Sequence, residues 1–207
     1  LDEERSNTEI STKENLQAAR EIAAHSMVLL KNDNNTLPLK KSGKIALVGP
    51  LADSKGDMLG CWVMRRDESI ISTVLEGIKN VGGESVEVTY AKGANITDDP
   101  YLKASLVSPY AAYMGVQMAE ETLSPEQLIE EALQVSKDAD AIVAVLGESA
   151  AMSGEAASRA DISIPESQRN LLKVLVKTGK PVVLVLVNGR PLTLNWENEN
   201  VPAILEA

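Results

Sequence analysis

The sequence has no phenylalanine, one cysteine and one histidine among its 207 residues. A lone Cys61 excludes an internal disulfide, and together with a lone His25 it disfavours a zinc site built from protein ligands. Ser-His-Asp catalysis is not indicated, because His25 lies in a helical pattern and no Gly-x-Ser-x-Gly motif occurs. We expect no metal ion and no cofactor, and a core built mainly from Val, Ile, Leu and Ala.

Basic residues and long apolar runs are also scarce. Thirty acidic residues against twenty basic ones give a net charge of −10, which disfavours contact with phosphate groups and anionic lipids. The longest apolar runs, at residues 141–146 and 181–187, fall far short of the roughly 20 residues that span a bilayer. We therefore expect neither nucleic acid nor a membrane as a partner.

Short apolar segments alternate with helical patterns along most of the chain. Segments of this length, covered on both faces, are typical of parallel strands joined by right-handed helical crossovers. The pattern predicts an α/β fold, a three-layer αβα sandwich with a mainly parallel sheet. The predicted strands are residues 44–48, 86–90, 140–146, 181–187 and 202–205, and the predicted helices are residues 69–81, 124–137 and 165–178.

The two ends of the pattern suggest the domain boundaries. Residues 1–12 are predicted to be a linker and residues 13–207 the domain, with an irregular insertion at about 98–123 where Pro and Tyr interrupt any period. A capping box at Ser11-x-x-Glu14 predicts the start of a long first helix. Its apolar residues recur at helical spacing and are predicted to form one buried stripe: Leu16, Ala19, Ile22, Ala23, Met27 and Leu30.

Three predicted loops lie at the edge where such sheets bind ligands, beyond the carboxyl ends of the strands. They are residues 49–66, 147–164 and 188–191. The second loop carries two glutamates, Glu148 and Glu155, whose carboxylates are suited to glycosidic cleavage, where one group protonates the leaving oxygen. The alternative is that Glu155 is an ordinary solvated loop residue.

Two further loop features have a functional and a structural interpretation. Arg159 and Asp161 could serve a site, or they could form an ion pair that pins the loop. Trp62 could stack on a sugar ring, or it could fill the gap between loop and sheet. The second tryptophan, Trp196, is predicted to be a packing residue.

An ordered series of segments resembles the C-terminal α/β domain of glycoside hydrolase family 3. The resemblance covers roughly residues 15–207 apart from the insertion. The amino-acid sequence of the segments is most similar to that of bacterial periplasmic β-glucosidases. The segments are Ala19-Arg20-Glu21, Val28 to Asn32, Leu37-Pro38-Leu39, Ile45 to Asp53, Gly60-x-Trp62, Ala91-Lys92-Gly93, Glu155, Ser158 to Gln168, Lys180-Pro181, Asn188 to Pro191 and Ala203 to Glu206.

The resemblance implies a sandwich packed against a (β/α)8 barrel, with the active site between them and β-glucosides or oligosaccharides as substrates. It implies a retaining mechanism with an Asp nucleophile on the barrel and Glu155 as general acid/base, Glu148 being the runner-up. Trp62 and Arg159 would bind substrate and Asp161 would fix the loop. The implied location is the periplasm or the cell exterior.

Two departures from the family pattern bear on whether these residues are active alone. No Ser-Asp-Trp nucleophile motif occurs, and the Trp-x-Pro-Gly-x-Glu-Gly-Gly stretch that follows in the family is not in this sequence. Because a retaining glycosidase needs two carboxyl groups about 5 Å apart, we expect these 207 residues alone to be inactive. The alternative is a non-catalytic structural or carbohydrate-binding module of a family 3 glycosidase such as a β-xylosidase or β-N-acetylglucosaminidase.

Overall fold

The structure is a computed structural model that describes residues 4–63, 67–107, 122–155 and 157–207. The strands of these ranges are β1 (Val28–Asn32), β2 (Gly43–Val48), β3 (Val86–Ala91), β4 (Ala141–Gly147), β5 (Val182–Val187) and β6 (Ala203–Glu206). They form one central six-stranded sheet with the order β1-β6-β5-β4-β2-β3. Five strands are parallel, and β1 pairs antiparallel with β6 at one edge.

The central strands are buried on both faces because their side chains alternate between two apolar clusters. In β4, Ile142 and Ala144 point into one cluster while Val143 and Val145 point into the other. The same alternation occurs in β2 and β5. It explains why these strands are continuous apolar runs rather than alternating apolar and polar ones.

Helices flank both faces of the sheet, so the predicted αβα sandwich is confirmed. The helices are α1 (Arg5–Glu9), α2 (Lys13–Ser26), α3 (Lys55–Met58), α4 (Val74–Gly82), α5 (Pro100–Leu106), α6 (Pro125–Ser136), α7 (Glu166–Val176) and α8 (Asn195–Asn200). One cluster includes residues of α6 and α7, and the other includes residues of α4.

The buried stripe predicted for the first helix is wrong. Helix α2 ends at Ser26 and contains no buried residue, and its cap is Thr12, whose side chain accepts a hydrogen bond from the Asn15 amide at 3.2 Å. The following residues form β1 instead, because pairing with β6 satisfies their backbone groups in an extended conformation. Met27 and Leu30 continue the helical spacing of apolar residues beyond the end of α2, but this spacing alone does not exclude a strand there.

The second predicted helix begins later than expected. Thr73 and Glu76 form a capping box in front of α4, with the Thr73 hydroxyl accepting from the Glu76 amide at 3.2 Å and the Glu76 carboxylate accepting from the Thr73 amide at 3.1 Å. The preceding residues, Glu68–Ile70, form a separate 3-10 turn. The strong cap overrides the weaker helical pattern before it.

The proposed linker and insertion contain short helices where the structure describes them. Helix α1 lies within residues 1–12, and α5 lies within the insertion at 98–123, of which residues 108–121 fall outside the described part. Within the described ranges, no helix combines the length and apolar character needed to cross a membrane.

Candidate active site

The carboxylate of Asp57 connects the first two loops at the carboxyl edge of the sheet. Asp57 lies in the short helix α3, which is capped by Ser54. One oxygen of Asp57 accepts hydrogen bonds from the Ser149 hydroxyl at 2.7 Å and from the Ala150 amide at 2.8 Å. The other oxygen accepts from the Ser54 hydroxyl at 2.6 Å. The loop after β2 therefore holds the start of the loop after β4.

Gly147 and Gln168 fix the direction in which the second loop leaves β4. Gly147 has a φ of 140°, and a Cβ atom there would lie 2.0 Å from the carbonyl oxygen of Val187. The buried amide of Gln168 accepts from the Gly147 amide at 2.8 Å and donates to the Gly147 carbonyl at 2.9 Å. Only glycine fits this turn, and both of its backbone groups are satisfied.

Glu148 is buried directly after this turn. Only 2% of the residue is exposed, and its carboxylate accepts from Nη1 of Arg159 at 2.6 Å and from Nε of Arg190 at 3.1 Å. Both oxygens of this carboxylate are therefore paired with guanidinium groups. The side chain is enclosed by the protein and is not available to contact a leaving group.

Glu155 has the opposite environment. It is exposed in a turn after Gly154, and among the described residues its carboxylate has no hydrogen-bond or ion-pair partner. Gly154 packs against the first loop, since a Cβ atom there would lie 2.9 Å from Sγ of Cys61 and 3.9 Å from Cζ2 of Trp62. The structure thus brings Trp62 beside the residue that precedes Glu155.

The two tryptophans behave differently. Trp62 is 72% exposed, so the alternative that it fills a gap between loop and sheet is wrong. Trp196 is partly buried against one core cluster, and Nζ of Lys173 lies 5.8 Å from its ring centroid. The prediction of a packing role for Trp196 is confirmed.

The ion pair predicted between Arg159 and Asp161 is wrong, because Arg159 pairs with Glu148 instead. Asp161 accepts a hydrogen bond from the Ser163 amide at 2.8 Å. Hydrogen bonds from the backbone and side chain of Ser163 hold the pKa of Asp161 below its usual value. The buried carboxylate of Glu148 attracts the Arg159 guanidinium more strongly than the exposed carboxylate of Asp161 does, because water screens an exposed charge. Arg159 therefore pairs with the residue that is more distant in sequence.

A groove of about 1130 Å³ runs along this side of the domain. Its lining includes Trp62, Ser153 and Gly154, apolar side chains of α4 and the sheet, and side chains of α2. In the described ranges, no three His, Cys, Asp or Glu side chains are arranged to hold a metal ion.

Sequence reasoning did not single out Arg190 or Asp57. Arg190 lies in the third loop of the predicted ligand edge, in the segment Asn188 to Pro191 that contributed to the family resemblance. Its position in that loop could have indicated that it lies near the site. Asp57 follows Ser54 at capping-box spacing, but nothing in that spacing indicates a contact with Ser149 across the edge.

The profile of the glycosyl hydrolase family 3 C-terminal domain matches residues 27–207. The chain therefore belongs to this family of C-terminal domains. It is 48% identical over 200 residues to a periplasmic β-glucosidase of Salmonella typhimurium, with 97% of the chain and 26% of the relative covered. It is 36% identical over 204 residues to a β-xylosidase of Formosa agariphila, with 96% and 25% covered.

The structure is similar to that of a solved β-glucosidase from Listeria innocua. The complex of that protein with glucose superimposes with a TM-score of 0.76 at 35% identity, covering 96% of this chain and 23% of the relative. The same protein was also solved with laminaribiose, in a mutant form. The chain spans about a quarter of the length of the relatives that it matches.

Proposed function

We propose that this domain is part of a retaining β-glucosidase and supplies its general acid/base, Glu155, together with part of the leaving-group subsite. The observation that carries the proposal is the contrast between two glutamates of one loop. Glu155 is exposed at the carboxyl edge of the sheet beside the loop of Trp62, whereas Glu148 is buried between two arginines. Only the first is free to approach a bound sugar.

In the proposed reaction, the carboxyl O–H of Glu155 gives its proton to the glycosidic oxygen as the bond from that oxygen to the anomeric carbon breaks. An Asp carboxylate on a barrel domain of the same protein, outside these 207 residues, forms the new bond to the anomeric carbon. The Glu155 carboxylate then takes a proton from water as the water oxygen displaces that carboxylate. This reaction needs the two carboxyl groups about 5 Å apart. We therefore propose that a (β/α)8 barrel carrying the nucleophile faces the sheet edge that carries Glu155.

Trp62 is proposed to contact the leaving-group sugar. Its ring is exposed and lies next to Gly154, and a fixed aromatic face packs well on the apolar face of a pyranose. We assign Arg159 an indirect role in substrate binding, because its guanidinium is engaged by Glu148. Asp161 is proposed to fix the loop through its bond to Ser163.

The substrates proposed for the intact enzyme are β-glucosides and oligosaccharides, in agreement with the named activity of the Salmonella relative and the glucose and laminaribiose complexes of the Listeria relative. By the same relationship, we propose a periplasmic or secreted location. The similarity to a β-xylosidase supports xylosides as the second candidate substrate class.

Glu155→Ala in the intact enzyme tests the proposal. We expect kcat/KM for laminaribiose, a poor leaving group, to fall by about 10²- to 10⁴-fold, the usual contribution of a general acid. For 2,4-dinitrophenyl β-glucoside, kcat/KM should be nearly unchanged, because this leaving group needs no proton. Azide should restore turnover of the dinitrophenyl substrate, since it attacks the glycosyl-enzyme without a general base.

The matched control is Glu84→Ala, which removes an exposed glutamate from the turn before β3 at the opposite edge of the sheet. It should leave both substrates unaffected. An equal loss for both substrates in Glu155→Ala would contradict the acid/base role. A change in KM or stability with the chemical step intact would favour the non-catalytic module instead.

A further inference from the structure

The buried carboxylate of Glu148 connects the loop after β4 to the loop after β5. Glu148 follows β4, Arg159 lies eleven residues further along the same loop, and Arg190 comes from the loop after β5. The Glu148 side chain has no exposed surface, and those of Arg159 and Arg190 are 7% and 20% exposed. Removing the carboxylate would leave two neighbouring guanidinium groups without their counter-charge.

Each arginine also donates from its Nη2 atom to backbone carbonyls of the loop after β4. Nη2 of Arg190 donates to the carbonyl of Ala157 at 2.8 Å and also to the carbonyl of Met152. Nη2 of Arg159 donates to the carbonyl of Ser163 at 3.0 Å. Arg190 therefore ties together the two sides of the turn that carries Glu155.

The contacts of Arg190 hold the loop backbone on both sides of Glu155. Glu155 itself has no partner among the described residues, so its position depends on the backbone on either side of it. The carbonyls of Met152 and Ala157 flank it, and both accept from one guanidinium whose Nε is bound by Glu148. A planar guanidinium held at one edge by a carboxylate presents its other N–H groups in a fixed direction.

We propose that Glu148 is a positioning residue that fixes Glu155 by orienting Arg190 and Arg159 against the loop backbone. This inference rests on the acid/base role proposed for Glu155. Glu148 does not touch the substrate and does not transfer a proton. It keeps the donor in the narrow range of positions from which proton transfer to the glycosidic oxygen is fast.

Glu148→Gln in the intact enzyme is the principal test, because the amide keeps the size of the side chain and loses the charge. A displaced proton donor should lower kcat/KM for laminaribiose by about 100-fold, and kcat/KM for 2,4-dinitrophenyl β-glucoside by less than about threefold. The selective loss is the signature of positioning. A residue that only stabilises the fold would reduce the amount of active enzyme and lower both values by one factor.

Glu197→Gln is the matched control. Glu197 is also fully buried and pairs with one arginine, Nε of Arg169 at 2.9 Å, but it lies in α8 outside the loop that carries Glu155. Any loss of activity in this variant should be the same for both substrates. A uniform loss in Glu148→Gln like that of the control would overturn the positioning role.

Arg190→Lys decides the question if Glu148→Gln does not fold. The lysine keeps a positive charge beside Glu148 but cannot reach that carboxylate and the carbonyls of Met152 and Ala157 together. We expect the same selective loss for laminaribiose, about tenfold. No change in the ratio of the two substrates would overturn the inference.

Failure of the inference and failure of the proposed function give different results. If Glu155→Ala shows no dependence on the leaving group, the acid/base assignment fails and the positioning role fails with it. If Glu155→Ala shows that dependence and both Glu148→Gln and Arg190→Lys act equally on the two substrates, only the positioning role fails.

Discussion

The loop after β4 has a base at residues 147–149 and a tip at residues 154–155, and the two are held in different ways. At the base, Gly147 is bonded through both backbone groups to Gln168, and Glu148 is buried between Arg159 and Arg190. At the tip, Glu155 is exposed and unpaired among the described residues. A rigid base with a free tip is the arrangement expected where a functional group must be both accurately placed and open to a ligand.

The base and the tip of the loop should also differ in what they contribute, the base to the stability of the fold and the tip to activity. The base contains charges that have been removed from water, so its residues should matter to folding whatever the protein does. The tip contributes little buried surface, so its glutamate should matter only to activity. The following predictions test this division in order of decreasing effect.

The largest expected difference is between Glu148→Ala and Glu155→Ala in unfolding free energy. Glu148→Ala leaves two guanidinium groups without their carboxylate and should lower the free energy of unfolding by about 3 kcal/mol, the lower end for a broken buried pair because Arg190 can reach water. Glu155→Ala should change it by less than about 0.5 kcal/mol. Urea unfolding of the three proteins measures both, and similar values for the two variants would break the comparison.

A smaller effect is expected for Trp62→Ala in the intact enzyme. Loss of the proposed aromatic contact to the leaving-group sugar should cost about 0.5 to 1.5 kcal/mol, which corresponds to an increase in KM for laminaribiose of roughly twofold to twelvefold. Because Trp62 is 72% exposed, the unfolding free energy should hardly change. Trp196→Ala is the matched control and should show the reverse, a loss of stability without a specific rise in KM.

The smallest effect is expected for Asp161, which is exposed and fixes one turn of the loop. Its folded-state pKa is depressed by the hydrogen bonds from Ser163, so its contribution to stability is present above the unfolded pKa of about 3.9 and is lost as pH falls toward the folded value. The difference in urea midpoint between the wild type and Asp161→Ala should therefore be small at pH 7 and shrink below pH 3.9. A difference that does not depend on pH would exclude this contribution.

Sequence patterns predicted most of the fold because the relevant signals are local. The apolar runs that became β2, β4 and β5 alternate between two core clusters, and the helix predicted at residues 124–137 matches α6 within one residue at each end. The patterns failed at β1, where helical spacing continued into residues that pair with β6. Whether Val28 to Asn32 extends a helix or joins a sheet depends on a partner strand more than 170 residues away.

The sequence alone determined the fold class, the loops that meet at the ligand edge and, through its resemblance to a family, the choice of Glu155 and Glu148 as the residues to compare. Only the tertiary structure decided their environments. Which carboxylate is buried with Arg159 and Arg190, and which is left exposed beside the loop of Trp62, depends on contacts between segments that are distant in sequence. Those contacts follow from burial and charge pairing in three dimensions, for which residue order carries no direct signal.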